Sequence, residues 1–149
     1  MTLKSKFKLL TVALLLFATL SNAQKKAQPF IISDDVAIEK YHDRDDLEDM
    51  QKGDLLALYN RRIEVIIKIL PNIAFATKPG VTMSSLGIPN TKENRNALEE
   101  NIEATSTYFE NTIEFQKIVL PYSDKSNLIS AILFYEETLK ALHTYDDFN

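Results

Sequence analysis

Two Leu-Pro pairs, fifty residues apart, constrain this chain more than anything else in it. Each closes a long run of apolar residues spaced three and four apart, the period of an α-helix with one buried face. Before Leu70-Pro71 come Leu47, Leu55, Tyr59, Ile66 and Ile69, widened by Leu56, Ile63 and Ile67. Before Leu120-Pro121 come Leu98, Ile102, Thr105, Phe109, Ile113 and Gln116. Proline lacks the backbone donor that a helix interior needs and disfavours helix in the residue before it, so both helices end or kink there. A third run, Leu128, Ile132, Tyr135, Leu139 and Leu142, follows a cap at Ser123 or Asp124. No stretch alternates with period two for long enough to read as a strand.

The start signals agree. Asp45 with Glu48, and Asn90 with Glu93, have capping-box spacing, with Asp or Asn in place of Ser or Thr. Gly53 lies inside the first run and marks a possible division into two helices. A further short helix is expected near Val36 to Tyr41, capped by Ser33 or Asp34, and another helical turn over Pro71 to Ala76. The short link at Pro121 to Ser123 predicts that the last two helices are antiparallel neighbours. The fold expected is all-α: an up-and-down helical bundle of three long helices plus a short N-terminal one, resembling a four-helix bundle in outline. Tyr59, Ile63-Glu64 and Leu70-Pro71 are echoed at Phe109, Ile113-Glu114 and Leu120-Pro121. Duplication of a helical unit would produce this echo, but so would any two amphipathic helices closed by proline.

The N-terminus reads as an export signal. Lys4, Lys6 and Lys8 precede an uncharged run from Leu9 to Leu20, and Ser21-Asn22-Ala23 supplies small residues for cleavage. Twelve residues are too few to span a bilayer, which needs roughly 20. The expected organisation is a cleaved signal over 1–23, a flexible polar tail over 24–33 and one helical domain over 34–149. Fourteen of the 17 Lys and Arg and all 21 acidic residues follow Ala23, so cleavage leaves a formal charge of −7. The chain has no Cys, so neither a disulfide nor a lipidated cysteine is available. Together with the lack of an Asn-x-Ser/Thr sequon, this points to a bacterial periplasm or exterior. So acidic a protein has no electrostatic footprint for nucleic acid or an anionic bilayer; a partner drawn by charge would be basic or a cation, and an acidic balance more often serves solubility.

Each candidate site in the sequence also has a structural explanation. Asp34, Asp35, Glu39, Asp43, Asp45, Asp46, Glu48 and Asp49 crowd around His42, but the calcium-loop pattern fails at Leu47, and such acids suit a helix N-terminus. Glu39 and His42 form a lone Glu-x-x-His, half of what a di-iron bundle requires. Met50 and His143 offer one thioether and one imidazole, the axial pair of some haem bundles, although Met is ordinarily core filler. Ser84-Ser85 has the composition of a turn. Glu64 with Lys68, Arg95 with Glu99 and Glu136 with Lys140 read as pairs on solvated faces. No cofactor, metal or catalytic residue is assigned. What remains is the loop between Pro79 and Pro89, whose Val81, Met83, Leu86 and Ile88 are apolar where loops usually are not. These four are the predicted partner-binding residues, the alternative being that the loop closes over the end of the core. Tyr108, Phe109, Phe115, Phe134 and Tyr135 are read mainly as core. The function expected is that of an exported, non-enzymatic module that binds a protein partner, of the inhibitor, immunity or envelope-accessory type. A ligand- or cofactor-carrying bundle is the alternative.

Overall fold

A computed structural model of the 149-residue chain describes residues 28–145. The predicted signal peptide, residues 24–27 of the predicted tail, the side chain of His143 and residues 146–149 lie outside the described residues. The protein is all-α apart from one small sheet. Its elements are β1 (Phe30–Ile32), α1 (Arg44–Asp49), α2 (Lys52–Ile69), β2 (Val81–Thr82), α3 (Lys92–Val119) and α4 (Lys125–Tyr145). Among the described residues no helix is long and apolar enough to cross a membrane.

Local chemistry explains the boundaries. Asp43 caps α1, its carboxylate accepting from the Asp46 backbone N–H at 2.8 Å. The helical run divides at Met50 and Gln51, both extended, so Gly53 sits in the first turn of α2 and not at the break itself. Both Leu-Pro pairs act as expected. Leu70–Asn72 and Leu120–Tyr122 are 3-10 turns, and the first runs on through the Ala76 N–H bonded to the Asn72 carbonyl. The cap of α3 is Thr91, one residue beyond the expected Asn90; Asn90 instead accepts from Arg95.

The short helix expected near Val36 is absent: residues 33–43 carry no helix, and the short helix is α1. The chain also contains strands where none was expected. Phe30 pairs with Thr82 and Ile32 with Val81, antiparallel. The Gly80 N–H donates to the Ile32 carbonyl at 2.9 Å, with Gly80 at φ +80°, where a side chain would be strained. Ile32 is buried in the core, so ordered structure reaches back into the segment read as a flexible tail.

The hydrophobic core has two parts strung along α2 and α4, which run parallel. Leu55 of α2 packs with Leu47, Leu128, Ile129 and Ile132 at one end. Val65 and Ile69 pack with Leu139, Leu142, Ile32 and Val36 at the other. Helix α3 returns along α2 in the opposite direction. Lys52 at the start of α2 donates to the Pro121 carbonyl beyond the end of α3, while Lys68 and Asn72 share a cavity with Ile102 and Thr105. Over its 28 residues, about 42 Å, α3 contributes one buried side chain, Leu98. The main helix interface is therefore α2 with α4, not the expected pairing of the last two helices. The inward stripe of α3 explains its loose seating: it contains Thr105 and Gln116, and the Gln116 Oε1 is buried without a hydrogen-bond partner.

Stability should accordingly lie in the α2–α4 interface. Ile132→Ala is expected to cost about 2–5 kcal/mol in urea unfolding; a loss under about 1 kcal/mol would place the core elsewhere.

Candidate functional site

The predicted partner-binding loop folds back on the protein. Val81 is half-buried in β2, Met83 is buried, and Ile88 is half-buried with its N–H on the Met83 carbonyl at 2.9 Å. Thr82 and Ser85 lock the turn by exchanging hydrogen bonds: each backbone N–H donates to the other's hydroxyl, at 3.0 and 3.2 Å. Of the four, only Leu86 is exposed. Three of the four side chains are therefore wholly or partly covered.

The residues weighed as metal ligands are engaged elsewhere. Asp43 is a helix cap and Asp46 pairs with Lys40 at 3.2 Å. Met50 packs against the cluster around Leu55. Glu39 is exposed, while His42 turns inward to a different partner, Glu136. Among the described residues no three His, Cys, Asp or Glu side chains are grouped to hold a metal ion.

Glu136 is the chief surprise of the interior. Its side chain is 0% exposed, and it does not pair with Lys140, which bonds to Glu137 instead. The carboxylate accepts from the His42 backbone N–H at 2.6 Å, and one oxygen accepts Nε and Nη2 of Arg62 at 2.8 and 2.6 Å. The His42 Nδ1 lies 3.1 Å from that oxygen. Arg62, itself buried, also donates to the Lys40 carbonyl at 2.6 Å. Desolvation pushes the Glu136 carboxyl up. The His42 N–H, the His42 ring and the Arg62 guanidinium outweigh it and hold the group below the ordinary glutamate value of 4.5. The cluster sits between the two apolar halves of the core and ties the segment before α1 to both α2 and α4.

The surface presents a different feature. Ala104, Tyr108, Asn111, Phe115, Ile118 and Tyr122 follow one another at alternating steps of four and three residues, the seam of a coiled coil. All six are exposed, Tyr108 by 61%, Phe115 by 64%, Ile118 by 71% and Tyr122 by 88%. This seam lies on the side of α3 away from Leu98 and Phe109, so the helix is apolar on two faces and buries neither fully. Glu100, Glu103, Glu110 and Glu114, all exposed, line one flank of the seam, while Thr105, Thr112 and Val119 follow the other. Glu100, Glu103, Ala104, Thr107, Tyr108 and Asn111 surround a shallow depression at its N-terminal end. The expectation that Tyr108, Phe115 and Phe134 are core is corrected: all three are among the most exposed large side chains described.

Comparison of this chain with models of known families, with curated proteins and with solved structures finds no match.

Two outcomes are expected. Glu136→Gln should cost about 3–5 kcal/mol at neutral pH, because it leaves Arg62 buried without its counter-charge. Since the folded carboxyl titrates below its unfolded value, its contribution is complete above about pH 4.5 and disappears as pH falls through the folded value. The gap between wild type and Glu136→Gln in denaturant unfolding should therefore narrow in acid; a constant gap would contradict the cluster. Phe115→Ser and Ile118→Ser, by contrast, should change stability by no more than about 0.5 kcal/mol, the range of surface substitutions. A loss above about 2 kcal/mol in either would mean that this face is buried.

Proposed function

We propose that this protein is an exported, non-enzymatic helical module that binds a protein partner through the outer face of α3. The observation that carries this reading is the exposed seam from Ala104 to Tyr122. Contiguous apolar surface of this kind, rimmed by polar groups, marks interaction sites. Aromatic side chains are also the residue types that dominate interface energetics. The seam replaces Val81, Met83, Leu86 and Ile88 as the proposed contact.

A non-catalytic role is supported by the chemistry of the side chains. There is no Cys and only two His in the whole sequence, and His42 is held against Glu136 and Arg62 inside the fold. Export rests on the N-terminal Lys-rich and apolar segments. The ligand-carrying alternative gains no support from the cavities. The apolar cavity around Tyr41 and Leu139 and the mixed one around Ile31 and Lys68 have volumes of about 150 and 230 Å³, below the roughly 300–1,000 Å³ of typical ligand pockets. Larger hollows of about 350 and 600 Å³, around His42 and Arg61 and around Glu100 and Tyr108, are lined mainly by polar side chains, unlike the mostly apolar walls of ligand sites.

The test is affinity capture from the envelope fraction of the native host, with bound proteins identified by mass spectrometry. A partner held by wild type should be lost from Phe115→Ser/Tyr122→Ser and kept by Leu86→Ser. Retention by the first variant, or loss from the second alone, would move the contact off α3.

A further inference from the structure

Resting on the reading of α3 as the contact face, we propose that the segment seated there is a basic amphipathic helix of another protein. Tyr108 and Phe115, seven residues apart on the outer face of α3, with Ile118 beyond them and Tyr122 in the turn that follows, have the spacing that accepts the apolar side chains of a second helix as knobs into holes. The charge beside it selects the sign of that helix. Glu100, Glu103, Glu110 and Glu114 occupy one flank, where coiled-coil partners place their complementary charges, with Lys92 and Lys117 at the two ends of that stripe. The depression at the N-terminal end has the chemistry to receive a lysine or arginine. Two carboxylates, Glu100 and Glu103, flank it, and the Tyr108 ring offers a π-face for the cation. A second copy of this chain is disfavoured, since antiparallel pairing would set the acidic flank against itself. The same acids would repel an anionic bilayer.

The chain contains no Trp, so a single Trp in a peptide reports binding without background. The probe is a three-heptad helical peptide with Leu at its seam, Lys on its flanks and one Trp; its counterpart carries Glu in place of every Lys. The purified protein should shift the emission of the Lys peptide saturably and leave the Glu peptide unchanged. Binding should weaken about tenfold or more in Glu100→Lys/Glu103→Lys/Glu114→Lys and in Phe115→Ser/Tyr122→Ser, each with an unchanged circular dichroism spectrum. Equal binding of both peptides, or undiminished Lys-peptide binding by the charge-reversed protein, would overturn the basic partner while leaving the α3 face standing. Undiminished binding by Phe115→Ser/Tyr122→Ser would show charge attraction without seating on the seam, and would overturn the proposal. Failure of the Lys peptide to bind would do the same. So would a dimer in sedimentation that Phe115→Ser/Tyr122→Ser dissociates, which would name a second copy as the occupant.

Discussion

The buried contact among Glu136, Arg62 and His42 is what the rest of the structure is arranged around. A carboxylate removed from water is tolerated only when its charge and lone pairs are met, and here the guanidinium of α2 and the backbone and ring of His42 meet them. Because these groups come from α4, α2 and the segment before α1, satisfying Glu136 fixes three parts of the chain at once. It also agrees with the register of the apolar contacts: Arg62 stands opposite Glu136, with Leu55 against Leu128 to Ile132 on one side and Val65 in a cluster with Leu139 on the other. Without Cys to supply a cross-link, this polar contact and the two apolar clusters beside it hold the described fold together.

That concentration of packing on α2 and α4 has a consequence for α3. With both core clusters built mainly from α2 and α4, the longest helix has little left to cover. It is anchored by Leu98 and by the turns at its ends, and its inward stripe includes a Gln whose oxygen is unpaired. A second apolar stripe is then left facing outward, beside an acidic flank. Stability and surface are divided between different helices, which lets the outer face of α3 carry aromatic residues that the fold itself does not use.

Much of the architecture was legible in the sequence because helical periodicity and proline are strong local signals. The ends of α2 and α3 at Leu70 and Leu120, the division before Gly53, the turn after Pro71 and the start of α4 all follow from them. The strands were not legible. Three residues and two residues are too short to show alternation, and their pairing depends on a turn at Gly80 that brings distant segments together. The ion cluster left a fainter trace. Arg62 lies seven residues from both Leu55 and Ile69, and Glu136 lies between Ile132 and Leu139, so a cation and an anion each occupy core positions of their helices. Reading Glu136 with Lys140 as a local pair hid this, since local spacing cannot reveal a partner 74 residues away. The seam is faint for a related reason: Leu98 to Gln116 already form a complete helical stripe, and the aromatics read as its extension unless their spacing, which places them on the other side, is followed residue by residue.

The proposed contact with a partner lies on α3 and not on the loop. Site-specific photocrosslinking in the native host tests it directly, with benzoylphenylalanine placed at Phe115 in one strain and at Leu86 in another. One discrete adduct with a second protein is predicted from position 115 and none from position 86. An adduct from 86 without one from 115, or a 115 adduct consisting of two copies of this chain, would contradict it.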